Sequence, residues 1–544
     1  MAPISNTLLI VLPLTAILIH ETVLRRVEVD HLTLPILAVS SIGYLGLTYL
    51  AGFLPATTLF LTFWSSLWIY IGLYRVFFHP LRNYPGPLGA RLSKWYTVNS
   101  VVKTRWHYYR IQQEMQKQYG DYVRTGPREL TIFDPGALQA LLGSQSKTTK
   151  GPFYDILDKS LNLNRDRVWH RQRRNVWDNA YKKSLPHATP QIEEICDQLL
   201  DRLRKAAGKP VPLLETMTYF SYDVMCALAF GKPPGFTAGK SSAAAEHILN
   251  TLTQSISAMG IMYHMPWLMN ALAVLTSLAG PMKDWTDWSA SQVKARMAVS
   301  QMCTIPLLEY TDIVQIKDAP IDLMGELIKN TSDDDAGHAL LYGDSRLIIS
   351  AGSETTSSAS TFVFIHLALY PHYMRAIRQE HRANLSQYHC STPLPLLDAV
   401  INESMRLWPS IFFATPRVTP SEGLNINGHF IPGDMIVQIP PFPLTRDPRN
   451  FVRPDDFIPE RWTSKPELIL NRSAFFPFLI GPYSCVGKTL AYMELRSVIR
   501  RVVNEFDVVL PEGFVAEEYW NGIRDHFTAG PPKQEVNFMP LEGF

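Results

Sequence analysis

The residues with the clearest chemical potential surround Cys485, in the segment 478–487 that reads FLIGPYSCVG. The cysteine follows a loop of glycine and proline and precedes a helical pattern. Backbone N–H groups and the helix dipole at such a position favour a thiolate over a thiol. Gly481 and Gly487 remove side chains where a flat ring would need close approach, and Phe478 can pack beneath it. The pattern predicts a metal-ligating thiolate, although a structural cysteine in a turn has the same local signature.

This segment resembles FxxGxxxCxG, the haem-binding signature of cytochromes P450, in which Phe478, Gly481, Cys485 and Gly487 all match. The resemblance implies haem b (iron protoporphyrin IX) with Cys485 as the axial ligand of the iron, and places the other three residues around the cofactor. The family commonly has Arg or His two residues before the cysteine, and this chain has Tyr483. One ion pair to a haem propionate is therefore missing, where a phenol could donate a hydrogen bond instead.

A second motif lies within a long apolar helical pattern, at 351–356, which reads AGSETT. An acid inside an apolar helix is costly unless it is paired or functional, whereas a hydroxyl can bond back to its own helix. The segment matches [AG]Gx[DE]T[TS] in the oxygen-binding helix of cytochromes P450. The resemblance implies that Gly352 opens space over the iron and that Glu354 and Thr355 deliver protons to bound O2. Electron donation by the thiolate would favour O–O cleavage.

A third motif pairs an acid and a base, Glu403 and Arg406, at i and i+3 on one predicted helix. Alone, such a pair carries little information because most are solvated. Its position before the segment 457–462, FIPERW, resembles the family's pairing of ExxR with a PERW-type segment. That resemblance implies a buried charged triad of Glu403, Arg406 and Arg461 with a structural role.

A fourth motif places Trp169 and Arg173 one helical turn apart inside the basic run 165–174. A basic run permits a nucleic-acid interpretation, which the net charge of +2 opposes, so no nucleic-acid partner is expected. By resemblance to the family's WxxxR helix, Trp169 and Arg173 hold haem propionates and the adjacent basic surface docks the electron donor. Arg417 stands where the family often has another propionate partner.

The elements that must position these motifs are mainly helical, with a small β region. Helical patterns cover about 191–206, 222–230, 344–369, 396–407 and 486–498, and strands are expected within 121–133. Hairpin signals stand at Asn427-Gly428 and at 432–434, PGD. A length of 544 residues suggests two or three domains. The resemblance, which covers about 75–530, implies instead one large catalytic domain with the cytochrome P450 fold.

The five cysteines are scattered, and none shows the spacing of a zinc site or a disulfide framework, which favours a reducing compartment for the main domain.

The N-terminus has a different character, because residues 31–74 contain no charged side chain other than histidine. We expect two membrane spans, about 32–52 and 56–74, broken near Gly52 and Pro55. The shorter run 7–19 is either a third span or an interfacial segment.

Basic clusters at Arg25-Arg26 and at Arg75 and Arg82 would lie on the cytosolic side by the positive-inside rule. The predicted division is a membrane anchor over 1–78, a proline-rich hinge over 79–94 and a cytosolic catalytic domain over 95–544. The resemblance is greatest to fungal microsomal cytochromes P450 of secondary metabolism, which implies attachment to the endoplasmic reticulum membrane.

The implied reaction combines R–H with O2 and two electrons from NADPH, delivered through NADPH-cytochrome P450 reductase, to give R–OH and water. The substrate would be a hydrophobic small molecule. One alternative is a haem–thiolate enzyme that uses peroxide, or that isomerises or dehydrates its substrate without O2. Members of that kind often lack the acid–threonine pair that this chain retains. A multi-pass membrane transporter is a remote alternative, because the apolar spans stop by Phe78.

Overall fold

The computed structural model describes residues 6–155, 159–276, 280–302, 321–384 and 392–541. Cys303 and Cys390 lie outside the described residues, whereas Cys196, Cys226 and Cys485 are all free thiols. The predicted fold class is confirmed, because helices dominate and the strands form only small sheets.

Nineteen α-helices are present in the described part of the chain. Their buried faces repeat at helical spacing, and several begin at an aspartate or serine cap, such as Asp166, whose carboxylate accepts the N–H groups of Val168 and Trp169. The helices are α1 Asn6–Ile19, α2 Thr33–Ala51, α3 Phe53–Leu73, α4 Leu88–Leu92, α5 Trp95–Lys103, α6 Tyr108–Tyr119, α7 Ala137–Leu142, α8 Arg167–Ala206, α9 Leu213–Phe230, α10 Ala243–Met262, α11 Pro266–Thr276, α12 Pro281–Met302, α13 Leu323–Lys329, α14 Asp335–Leu369, α15 Pro371–Ala383, α16 Pro395–Leu407, α17 Pro441–Thr445, α18 Lys488–Glu505 and α19 Ala516–Asn521.

The strands of the described residues form four small sheets. A five-stranded sheet has the order β1-β2-β8-β5-β3, with β2 and β8 parallel and the other pairs antiparallel, and a three-stranded sheet has the order β4-β12-β9. Two hairpins, β6–β7 and β10–β11, complete the set. The strands are β1 Tyr122–Gly126, β2 Glu129–Ile132, β3 Thr149–Lys150, β4 Pro210–Pro212, β5 Arg417–Val418, β6 Leu424–Ile426, β7 His429–Ile431, β8 Ile436–Gln438, β9 Phe506–Val509, β10 Arg524–His526, β11 Thr528–Gly530 and β12 Glu535–Pro540.

The starts of several helices and one hairpin differ from the sequence-based expectations. The long helix α14 begins at Asp335, nine residues before the predicted start, because Asp334 caps it by accepting the N–H of Gly337 at 2.7 Å. The turn at Asn427-Gly428 joins the β6–β7 hairpin as predicted, with both residues at positive φ. The hairpin predicted at 432–434 is wrong, because β8 leaves β7 and pairs with β2 and β5.

The core of the catalytic part surrounds α14, which packs against α9, α12, α15, α16 and α18. Apolar side chains of α14 such as Phe362, Val363 and Phe364 are at most 1% exposed. The hydroxyls of Ser360 and Thr361 donate to carbonyls of the preceding turn of the same helix, so these two buried polar side chains are paired.

The N-terminal segment contains three helices that are long and apolar enough to cross a membrane. They cover Thr7–Leu24, Thr33–Ala51 and Phe53–Phe78, where the first and third continue α1 and α3 through a π-helical turn. The chain breaks between the second and third at Gly52, whose φ of 86° lies in the left-handed region. The run at 7–19, left open by the sequence, therefore belongs to a helix long enough to be a third span.

Two segments next to the membrane helices contact the catalytic part. In the loop after the first helix, the Glu28 carboxylate accepts a hydrogen bond from Arg165 at 2.6 Å. The proline-rich segment after α3 packs on β1, where the Pro85 carbonyl accepts the N–H of Arg124 at 2.7 Å. The loop after the first helix and the end of α3 therefore lie at the same face of the anchor, towards the catalytic part.

Candidate active site

A large internal cavity lies between α14, the segment 476–487 and the aromatic residues that follow α16. Its empty volume is about 1750 Å3, part of which opens to solvent. Of the residues singled out in the sequence, the lining includes Gly352, Thr355, Arg417, Phe478, Cys485 and Gly487.

Cys485 reaches the cavity from the turn that precedes α18. Its N–H donates to the Phe478 carbonyl at 2.8 Å, which closes the loop and aims the Sγ atom inward. Burial raises the pKa of the thiol, and the N–H groups of Gly487 and Lys488 only partly oppose this. These N–H groups act in the direction expected from the sequence but do not outweigh burial, and a bound metal cation would favour the thiolate further.

The glycines of this region have different physical roles. Gly487 lies beside Cys485 and lines the cavity, and a side chain there would meet the Tyr181 hydroxyl at 3.6 Å and the Cys485 Sγ at 3.8 Å, both ordinary contact distances. Gly481 lies outside the lining residues and has a φ of 68°, and a side chain there would meet the Leu142 carbonyl at 2.2 Å. Its predicted role in making room for a flat ring is therefore wrong, because Gly481 serves the turn.

Gly352 lines the cavity from α14, as the sequence led us to expect. The space that its side chain would occupy is filled by Met225 of α9, whose Sδ lies 2.4 Å from that position. Met225 itself lines the cavity. The glycine therefore lets two helices approach closely and brings a thioether to the cavity wall, rather than leaving open space.

One end of the cavity is cationic. Lys150 and Arg417 are 2% and 1% exposed, and both lie over the ring of Tyr483, with the Lys150 Nζ and the Arg417 Cζ each 4.9 Å from its centroid. Lys150 donates to the Asn162 carbonyl, and Arg417 donates to the Tyr154 hydroxyl and the Pro416 carbonyl. Within the described residues neither cation forms an ion pair, and the Arg417 Nε has no hydrogen-bond acceptor.

The pKa values at the cationic end reflect the same excess of buried positive charge. Burial, and then repulsion from Arg417, lowers the pKa of Lys150 to about 7. Burial and the neighbouring cations also lower the pKa of His170 to about 3, so this imidazole is neutral. Buried positive charge without a counter-charge is costly unless an anion binds there. The cationic end is therefore suited to a dianionic group.

The first turns of α8 enter this end one residue out of register with the prediction. His170 and Arg174 line the cavity, whereas Trp169 and Arg173 do not. Arg173 lies on another face, where its guanidinium pairs with the fully buried Asp344 at 2.6 Å, and Trp177 donates to the same carboxylate. The structure thus does not bring Trp169 and Arg173 to the candidate site.

The acid–threonine motif of α14 is divided between two faces of the helix. Thr355 lines the cavity and its hydroxyl donates to the Ala351 carbonyl at 2.8 Å. Glu354 points towards α9, where its carboxylate accepts a hydrogen bond from Tyr222 at 2.8 Å. Burial raises the pKa of Glu354 to about 6, against the opposing effect of the Tyr222 hydrogen bond. Only the threonine of the pair faces the cavity directly.

The predicted charged triad lies outside the cavity and is fully buried. Glu403, Arg406 and Arg461 are each 0% exposed. The Glu403 carboxylate accepts from Arg406 at 2.8 Å and from Arg461 at 2.9 Å, and also from the Trp462 indole at 2.9 Å. Both guanidinium groups also donate to backbone carbonyls. The cluster joins α16 to the segment 458–462.

An aromatic cluster covers the cavity opposite the cysteine loop. Phe413 and Phe527 line the cavity with ring centroids 4.6 Å apart, and Phe153 packs behind them. Phe527 has a φ of 80°, which is rare for a bulky residue. The buried Asp525 carboxylate supports that conformation by accepting the N–H of Phe527 at 3.0 Å and the hydroxyl of Tyr263 at 3.0 Å.

Sequence reasoning missed several residues of this site. His170 and Arg174 have the same i, i+4 spacing as Trp169 and Arg173, so periodicity alone could not separate the two registers. Lys150 and Tyr222 carry no local signal, because the chain brings them to the site from distant segments. The one feature near Lys150 in the sequence was the segment 152–154, PFY, which places two aromatic side chains close to a basic one.

The side chains that line the cavity are of the types that a haem requires. A single thiolate-forming side chain faces a cavity whose walls include Ala359, Phe478 and Leu490. The cationic end offers Lys150 and Arg417, the orphaned Arg417 Nε among their donors, to a group with two carboxylates. These residues fit an iron porphyrin with an axial thiolate and two propionates. The fold and the site together define a haem–thiolate protein.

Comparison with known proteins agrees. Residues 90–536 match the family model for Cytochrome P450. A cytochrome P450 monooxygenase of Eupenicillium brefeldianum is 35% identical over 85% of this chain and 92% of its own length. One of Hypoxylon pulicicidum is 33% identical over 97% of both chains, and a tryprostatin B 6-hydroxylase of Aspergillus fumigatus is 31% identical over 88% of this chain and 83% of its own. The chain belongs to the cytochrome P450 family and is a cytochrome P450 monooxygenase.

Proposed function

We propose that this enzyme hydroxylates, or otherwise oxidises, a hydrophobic small molecule in fungal secondary metabolism, using O2 and electrons from NADPH. The observation that carries the proposal is the shared cavity of Cys485 and Thr355, which joins a thiolate ligand to a hydroxyl suited to proton transfer. A haem held by Cys485 would supply the activation of O2 and the insertion of one oxygen atom into a substrate bond. The balanced reaction is R–H + O2 + 2 e− + 2 H+ → R–OH + H2O.

The residues of the cationic end would bind the haem propionates. Lys150 and Arg417 supply buried positive charge, and Tyr483 and His170 lie between them, with their rings 4.6 Å apart. Arg174 approaches the same end and donates to the Ser484 carbonyl next to Cys485. We therefore assign propionate binding to Lys150, Arg174 and Arg417, in place of the Trp169 and Arg173 pair expected from the motif.

The substrate would bind between Thr355 and the aromatic cluster. Phe413 and Phe527 present ring faces to that space, and the neighbouring polar groups are hydroxyls such as those of Thr356 and Ser410. Apolar walls with few polar groups suit a bulky terpenoid, polyketide or prenylated peptide product. One relative is named for hydroxylating tryprostatin B, which supports the hydroxylation proposed here.

The anchor would hold the enzyme in the endoplasmic reticulum membrane with its catalytic part in the cytosol, where a cytochrome P450 reductase can reach it. We assign 1–78 to the anchor, 79–94 to the hinge and 95–544 to the catalytic domain. The contact between Glu28 and Arg165 supports this topology, because it requires the loop after the first helix to lie on the catalytic side. Three spans then leave the N-terminus in the lumen.

The test is co-expression with a reductase, feeding of pathway intermediates and identification of the oxidised product. Product formation should require NADPH, reductase and O2 together, which separates the proposal from a peroxide-using or isomerising enzyme. The reduced, CO-bound protein should show the Soret band characteristic of a haem–thiolate, and Cys485→Ser should abolish it. Cys196→Ser, at a buried thiol far from the cavity lining, is the matched control. Absence of the band in the unmodified protein would sink the proposal.

A further inference from the structure

The partner of Glu354 is the feature that the family resemblance does not explain. Neighbouring residues on an α-helix point about 100° apart, so Glu354 and Thr355 cannot face the same side. Thr355 faces the cavity, and the Glu354 carboxylate instead meets the Tyr222 hydroxyl at 2.8 Å. An acid expected to serve the cavity is therefore held on the face of its helix next to the one that lines the cavity.

Tyr222 is well suited to hold that acid. It lies on α9 and is 3% exposed, packed with Cys226 and Ile349. Within the described residues the Glu354 carboxylate makes no ion pair and no other hydrogen bond, so the phenol is its one polar partner there. A half-buried carboxyl with a single donor is easily shifted, because one hydrogen bond of this kind contributes only ~1–3 kcal/mol.

The helix that carries Tyr222 also forms part of the cavity wall. Met225, one turn later on α9, lines the cavity and fills the space beside Gly352. Ser353 donates weakly to the Ser221 carbonyl at 3.5 Å, so the α9–α14 contact is polar on the side of the acid. A movement of α9 against α14 would therefore change both the cavity wall and the position of the acid.

We propose that Tyr222 is a positioning residue whose hydroxyl holds the Glu354 carboxyl on the α9 side of α14 and so controls its transfer of protons towards the cavity. The inference rests on the proposed function, in which each hydroxylation consumes two protons. In the position set by Tyr222 the acid can take up a proton from water, and a rotation about its side-chain bonds carries it towards Thr355. Without the phenol, the carboxyl has no defined starting position.

The test uses Tyr222→Phe in the full-length, haem-loaded protein with reductase and NADPH, and requires no known substrate. Under these conditions O2 is reduced either to H2O2, which takes two electrons and two protons, or to two molecules of water, which takes four of each. Slower proton delivery favours H2O2. We expect the ratio of H2O2 to O2 consumed to rise several-fold, and the solvent deuterium isotope effect on water formation to increase.

Tyr219→Phe is the matched control, because Tyr219 lies one turn earlier on α9, packs on Phe236 and makes no contact with Glu354. Glu354→Gln should itself raise the H2O2 fraction, and adding Tyr222→Phe to it should cause no further change. A wild-type H2O2 fraction and isotope effect in Tyr222→Phe would overturn the proposal. So would an additive effect of the two substitutions, which indicates that Tyr222 does not act through Glu354.

A second variant keeps the proposal testable if Tyr222→Phe fails to accumulate. Glu354→Asp retains the acid but shortens it by one methylene, so it can no longer reach the phenol without a shift of helices. The same rise in H2O2 is expected, and wild-type behaviour would overturn the proposal. The haem–thiolate Soret band should persist in every variant. Its absence from the unmodified protein would count against the proposed function, not against the role of Tyr222.

Discussion

The charged triad and the cationic end of the cavity each bury two cations, yet among the described residues only the triad contains an anion. Arg406 and Arg461 share the Glu403 carboxylate and give their remaining donors to backbone carbonyls. Lys150 and Arg417 have no carboxylate among the described residues. A buried charge cluster that satisfies itself stabilises the fold, and one that lacks its counter-charge indicates a ligand site.

The largest expected effect comes from removing the one anion of the triad. Glu403→Gln leaves two buried guanidinium groups without a counter-charge, and breaking such a buried network costs about 3–5 kcal/mol. We expect little folded protein and no haem–thiolate band, measured by denaturant unfolding and by CO difference spectra. Glu460→Gln, at a half-buried acid nearby that accepts from Tyr373, is the control and should accumulate normally. Normal stability of Glu403→Gln would contradict the structural role of the triad.

The same contrast, between a cation that stabilises the fold and one that belongs to a ligand site, distinguishes two adjacent arginines of α8, Arg173 and Arg174. Arg173→Met removes the partner of the buried Asp344 and should destabilise the fold by about 3–5 kcal/mol. Arg174→Met breaks a pair with the exposed Asp178 and a hydrogen bond to the Ser484 carbonyl, and should leave the fold intact. Its effect should instead be on the haem, with about tenfold faster transfer to apomyoglobin, or ~1.4 kcal/mol. If Arg173→Met instead affected only haem retention and Arg174→Met destabilised the fold, the helical register expected from the sequence would be correct.

Glu354 is a third case, a half-buried acid with a phenol partner but no cation. Its pKa is raised from 4.5 to about 6, so the folded state favours the protonated form. Stability is therefore lost as the pH rises through this window, by roughly 2 kcal/mol, and stays lower above it. Glu354→Gln should be more stable than the parent at pH 7.5 by about that amount, with the difference vanishing near pH 4.5. Thermal loss of the haem–thiolate band measures it, and a pH-independent difference would contradict the assignment.

The smallest expected effect concerns Lys150. Lys150→Met keeps the length of the side chain and removes the charge, so we expect about tenfold faster haem loss, or ~1.4 kcal/mol, with the fold retained. Lys147→Met, at an exposed lysine three residues earlier that pairs with Glu422, is the control. Unchanged haem loss in Lys150→Met would show that the imbalance at this end is not met by the cofactor.

Much of the structure could be predicted from the sequence. Apolar periodicity and length predicted the helical class and the membrane helices, because both depend on patterns within a few residues. The segment around Cys485 and the acid of 351–356 were found as motifs, since a loop followed by a helix and an acid within an apolar helix are local signatures. The grouping of Glu403 with Arg461 came only from resemblance, as 58 residues separate them.

Only the tertiary structure decided which side chains meet in the cavity. The first turns of α8 carry two pairs at the same spacing, and the buried carboxylate of Asp344, far along the chain, captures Arg173 and leaves Arg174 for the cavity. The helical pattern of α14 does not indicate that Tyr222 holds Glu354 on the face directed towards α9. The sequence by itself determined the helical class and the membrane helices, because these follow from local patterns, and it predicted Cys485 as the ligand through a family resemblance. The tertiary structure decided the direction of each side chain and the balance of buried charge, because both depend on distant neighbours.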